Sequence, residues 1–135
     1  MLRFVLVGIG GGLLFGLLDG LIHANPWARR LYKVFEPIAR TAINVPAGVA
    51  IDLVYGFALA GGFLLLEGSL PGGAGLVKGL VFGGLVWFAR VAMQVASQWM
   101  MYTVPPKTLI YMLLTGLVEM LILGTLFGLT LSVTA

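Results

Sequence analysis

Apolar residues fill four long blocks of this chain, at about 2–23, 41–66, 76–102 and 108–131, each broken by only a few ionisable side chains. A helix crosses the hydrocarbon layer of a bilayer with about 20 mostly apolar residues, so each block predicts one crossing. The runs lack the period-2 alternation of a membrane β-barrel. The expected fold is an all-α integral membrane protein: a four-helix transmembrane bundle, up-down-up-down, in a single transmembrane domain over residues 1–135. Arg3 followed by an apolar run to Ala24 also has features of a signal peptide. The length of that run, and Asp19 within it, favour a helix that is retained.

Residues 25–40 form the longest connection. Asn25 is placed to cap a helix starting at Pro26, where a missing N–H costs nothing. Trp27, Leu31, Val34, Phe35 and Ile38 recur at helical spacing opposite Arg29, Lys33, Glu36 and Arg40, and Pro37 stops the pattern. This predicts a short interfacial amphipathic helix, about 26–36, between the first two crossings. Trp27, Arg29, Arg30, Lys33 and Arg40 anchor it at the interface by snorkelling. A docking face for anionic lipid or another subunit is the sharper alternative. Glu67–Gly75 and Pro105-Pro106-Lys107 read as turns.

Five basic residues (Arg29, Arg30, Lys33, Arg40, Lys107) lie on one side of the helices and two (Arg3, Lys78) on the other. The positive-inside bias then places connections 25–40 and 103–107 in the cytoplasm and both termini outside. The expected location is the cytoplasmic membrane of a bacterium or archaeon. The two halves do not align at their charged positions, which gives no support to an inverted repeat within the chain.

Composition narrows the chemistry. With 135 residues, 60% hydrophobic and 10% charged, the four crossings leave no length for a soluble domain. The net charge of +3 is too small and local to predict a nucleic-acid partner. The absence of cysteine removes disulfides, thiolate catalysis and cysteine-held clusters. One histidine cannot ligate a haem from both sides, and no His/Asp/Glu group has metal-ligand spacing, so no metal or cofactor is expected. Ser69, Ser97 and Ser132 lie outside any G-x-S-x-G, and Gly8–Gly12 sits within an apolar helix rather than a phosphate loop. No motif diagnostic of a known family is present.

Small residues mark close faces. Gly8, Gly12, Gly16 and Gly20 keep strict four-residue spacing, as do Gly75, Gly79 and Gly83 on the third block. Gly48, Gly56 and Ala60 share a stripe with Asp52, and Gly124 and Gly128 lie on the fourth block. In lipid such stripes let backbones approach and gain dispersion contacts. The partner is expected to be another helix of the same chain, with a second copy as the alternative.

Asp52, Arg90 and Glu119 fall near the centres of three blocks. At ~1.5 Å rise per residue they lie within about 3 Å of one plane. A charge at that depth costs roughly 2.5–3.5 kcal/mol on insertion scales and so usually has a partner and a purpose. Arg90 shares a helical face with Trp87, Gln94 and Ser97; Glu119 with Thr115 and Tyr111; Asp52 with Tyr55 and Asn44. Asp19 lies roughly 8 Å from the centre of its helix by the same rise, with His23 one turn on as a local partner. Arg90 neutralises one acid of the central pair, and charge counting then leaves the other holding a proton.

The expected binding or translocation set is Asp52, Arg90, Glu119, Tyr55, Gln94, Thr115 and Asp19. Three functions fit: moving protons, an ion or a small polar solute, as an oligomer; acting as a non-catalytic subunit of a larger membrane complex; and intramembrane catalysis or lipid binding, ranked third. A hydrogen-bonded clamp that only fixes helix register is the plainer alternative.

Overall fold

The computed structural model describes residues 1–39 and 42–132. Arg40, expected on the basic connector, and Thr41, expected to open the second crossing, lie outside the described residues.

The described chain is helical and without strands: α1 (Leu2–Ala24), α2 (Pro26–Leu31), a 3-10 segment (Tyr32–Ile38), α3 (Val45–Leu66), α4 (Gly75–Trp87), a π-helical turn (Phe88–Ala92), α5 (Met93–Met101) and α6 (Pro106–Thr130). Four helical stretches are long and apolar enough to cross a membrane: Leu2–Ala24, Val45–Ser69, Gly75–Met101 and Pro106–Thr130. Leucines such as Leu2, Leu21, Leu65 and Leu114 point outward along them. Helices apolar all round suit a lipid environment.

Local chemistry sets the boundaries. The Asn44 side chain accepts from the Ala47 N–H (3.1 Å) with Pro46 in the first turn, so α3 opens at Val45 rather than at 41. The Asn25 carbonyl oxygen accepts from the Ala28 N–H (2.8 Å) and starts α2. The connector leaves α geometry after Leu31 and tightens into the 3-10 segment that contains Pro37, where one single helix to about 36 was expected. Proline supplies no N–H, and the tighter coil suits a short piece. The third crossing carries an interruption that its sequence does not signal, the π turn at Phe88–Ala92.

Two helix pairs pack through glycine. Along α1 and α3, Phe4 meets Gly61, Gly8 meets Phe57, and Gly12 lies against Leu53, where an added Cβ would sit 2.9 Å from Cα. Residue numbers rise on one helix as they fall on the other, which is antiparallel packing. Along α4 and α6, Cβ atoms on Gly79 and Gly124 would lie 3.0 and 3.1 Å from the Cα atoms of Gly128 and Gly83. Gly83 packs on Met120 and Leu121. Gly20 and Gly48, grouped with these stripes by spacing, have nothing within 4 Å of an added Cβ.

Phe15, Phe63, Phe82, Met120, Leu123 and Phe127 join the two pairs in one core. Phe63, Phe82 and Phe127 contact one another edge-on or tilted, with centroids 5.5–6.4 Å apart. At one end, the Ser132 hydroxyl donates to Glu67 Oε1 (2.6 Å) in a buried contact. At the other, the connector folds onto α6. The Thr108 hydroxyl donates to the Leu31 carbonyl, Asn25 Nδ2 donates to the Tyr111 hydroxyl (3.0 Å), and that hydroxyl donates to the Ile22 carbonyl.

Candidate functional site

Arg90 sits in the π turn, where an extra residue per turn rotates the following face. Its guanidinium lies 5.0 Å from the Phe15 ring centre on α1 and 4.9 Å from that of Tyr55 on α3. Those rings stack on each other at 5.0 Å and 21°. A cation within about 6 Å of an aromatic face is attracted by the ring quadrupole, the more so when desolvated. On its other side Arg90 Nη1 stands 3.9 Å from Glu119 Oε1 of α6. The local geometry is fixed by Trp87 Nε1, which donates to the Leu113 carbonyl (2.9 Å), and by Val91, which packs on Gly116.

Glu119 is buried, its side chain 3% exposed, and faces a cavity of about 220 Å³. Asp19, His23, Tyr32, Arg90, Gln94 and Thr115 share the lining. Asp19 of α1 and Glu119 of α6 thus face one space. The Asp19 and His23 side chains are 37% and 50% exposed, so the cavity reaches the outside at the connector end. His23 Nδ1 lies 3.8 Å from Asp19 Oδ1 and 2.9 Å from the Asp19 carbonyl oxygen. In the opposite direction the space among Leu59, Phe82, Val86, Met120, Leu123 and Phe127 is too small for water. The arrangement is a charged pocket open at one end and closed by phenylalanine at the other.

Three buried polar atoms here have no hydrogen-bond partner among the described residues: Arg90 Nε, Glu119 Oε2 and the Tyr32 hydroxyl. Buried polar atoms are normally paired with protein or ordered water. Tyr32 belongs to the connector and roofs the cavity within an aromatic group formed with His23, Phe35 and Tyr111. Burial, and then the neighbouring Tyr111, Asp19 and Glu119, push its phenol from 10.0 up to about 12.

The remaining expected residues separate. Tyr55 contributes its ring to Arg90, Thr115 lines the cavity while its hydroxyl donates to the Tyr111 carbonyl (2.6 Å), and Gln94 lies at an exposed edge. Ser97, expected on the inner face with Arg90, is exposed and bonds the Met93 carbonyl (3.0 Å), because the π turn shifts the register between them. Asp52 is not in this lining. It occupies the α1–α3 seam, in a separate recess of about 230 Å³ with Gly12, Leu13, Gly16 and Val49. No hydrogen bond or ion pair reaches it among the described residues. The trio that meets in space is therefore Asp19, Arg90 and Glu119.

On the connector, Trp27 is 67% exposed with its ring edge-on to Tyr111, and Arg29, Arg30 and Lys33 are exposed. Sequence reasoning missed Phe15 and Tyr32 at the site. The signal for Phe15 was present: it lies one turn before Asp19 on a shared face. No group of three or more His, Cys, Asp or Glu among the described residues is arranged to hold a metal ion.

Comparison with protein-family models, with curated proteins and with solved structures finds no significant match to this chain.

Proposed function

We propose that this chain binds and translocates a proton, an ion or a small polar solute through the Asp19–Arg90–Glu119 cavity, as an integral membrane protein acting in an oligomer. The observation that carries the reading is the continuity of the cavity from buried Glu119 to the exposed Asp19 and His23. Ionisable groups placed deep in a membrane bundle and facing an accessible cavity are what a translocation site requires. In this reading the helices cross up-down-up-down, the connector with Trp27, Arg29, Arg30 and Lys33 lies in the interface, and the cavity mouth faces the cytoplasm. The phenylalanine cluster is the closed gate of the resting state, and passage requires it to part.

A second reading, a subunit of a larger membrane complex, draws on Asp52. Its recess, bordered by exposed Leu13 and Val49, leaves a carboxyl group at bilayer depth for a neighbouring chain to pair. Reconstitution into liposomes separates the two. Transport predicts flux that Glu119→Gln and Asp19→Asn abolish while the fold and the oligomer survive, with Asp52→Asn retaining flux. The subunit reading predicts no flux from the isolated protein and loss of assembly in Asp52→Asn.

A further inference from the structure

Given the cavity as the functional site, we propose that its solute is a small organic cation with N–H donors, an alkylammonium or a guanidinium, held between Glu119 Oε2 and the Asp19 carboxyl. Glu119 supplies the central observation. Its side chain is 3% exposed and faces the cavity, and Oε2 has no hydrogen-bond partner among the described residues. A carboxylate oxygen only accepts, so the partner it lacks is a donor. Arg90 does not fill that place: its Nη1 stands 3.9 Å from Oε1, and its guanidinium is otherwise turned to the Phe15 and Tyr55 rings. Asp19 brings a second carboxyl to the lining, from α1. His23 Nδ1 donates to the Asp19 carbonyl (2.9 Å) and lies 3.8 Å from the carboxyl, beyond hydrogen-bond reach.

Charge and donor counts select the ligand. The lining holds two carboxyls, Asp19 and Glu119, against one fixed cation, Arg90. An anion would meet both acids, whereas a cation supplies the second positive charge. Thr115 spends its proton on the Tyr111 carbonyl (2.6 Å) and offers the cavity only lone pairs. Tyr32 completes the lining from the connector with an aromatic face, which attracts a cation, and with an unpartnered hydroxyl able to accept an N–H. Against these acceptors stands a single orphaned N–H among the described residues, Arg90 Nε. The exposed Arg29, Arg30 and Lys33 of the connector lie outside the lining. A space of about 220 Å³, room for several waters, admits a cation of a few heavy atoms.

Equilibrium dialysis of the full chain in neutral phosphatidylcholine nanodiscs, with radiolabelled guanidinium as the probe, reads this binding directly. One guanidinium is expected to bind saturably per chain and to be displaced by methylammonium. Urea, its neutral isostere, and tetramethylammonium, which has the charge without an N–H, should not displace it. Glu119→Gln and Asp19→Asn are each expected to weaken binding about tenfold or more, since each removes a charge-assisted hydrogen bond. Asp52→Asn should bind as the unaltered chain does. Absence of saturable binding overturns the proposal, as does displacement by urea, tetramethylammonium or sodium as effective as that by methylammonium. Unchanged affinity in either Glu119→Gln or Asp19→Asn places the cation elsewhere and overturns it too. The competition series uses the unaltered chain, so it decides the matter even where a variant fails to fold. Liposome flux on the same preparations separates this inference from the transport reading. Guanidinium bound without flux under any imposed gradient keeps the cation site and removes translocation. Flux of another solute with no guanidinium bound does the reverse.

Discussion

Arg90 is held among the helices by two unlike contacts, an acid on one side and a stacked pair of rings on the other. The rings take the place of a second carboxylate at the guanidinium, and Asp19 shares the cavity lining with Glu119. Tyr32 closes this group from the connector, and its phenol offers a direct probe. Because its pKa rises from 10.0 to about 12 on folding, the native state holds a proton there that the unfolded chain has released. Stability should therefore fall as pH rises through that window, and Tyr32→Phe should remove this component. Unfolding in detergent, followed between those pH values for both proteins, checks it. At this scale the sequence speaks of position along each helix and is silent about direction. Counting residues places Asp52, Arg90 and Glu119 near one plane, but rise along a helix does not say which way a side chain points. Asp52 turns onto the α1–α3 seam, and Asp19, nearer the helix end, turns towards Glu119.

At the scale of elements, the four-residue glycine spacing was the most legible feature, because close backbone approach in lipid leaves few other solutions. Contact requires a facing surface as well, and spacing cannot report that: Gly12 and Gly124 meet backbone, whereas Gly20 and Gly84 meet open space. Gly124→Ala should force α4 and α6 apart, since the obstructing atoms belong to the Gly79 and Gly83 backbones and cannot rotate away. A cost of about 1–3 kcal/mol is expected from overpacking, against little change for Gly84→Ala. Equilibrium unfolding in mixed micelles compares the two. The π turn had no sequence signal, being a local insertion fixed by tertiary packing around Val91 and Gly116. It separates Ser97 from the face predicted by a regular helix, while Gln94 still lines the cavity with Arg90.

At the scale of the molecule, two glycine-packed helix pairs share a phenylalanine core, and the connector is tied onto one end through Thr108, Asn25 and Tyr111. Four apolar blocks were readable from hydropathy alone. The connector's position over the site was not, because it depends on hydrogen bonds between segments 77 to 89 residues apart. The central claim is that a charged cavity admits water from the connector end to the depth of Glu119 and stops at the phenylalanine core. The chain has no cysteine, so single cysteines report cleanly on access. Thr115→Cys lines the cavity, while Leu123→Cys lies in the closed core. A membrane-impermeant thiol reagent applied from the connector side should modify Thr115→Cys readily and leave Leu123→Cys untouched. Thr115→Cys as unreactive as Leu123→Cys from that side would contradict the account.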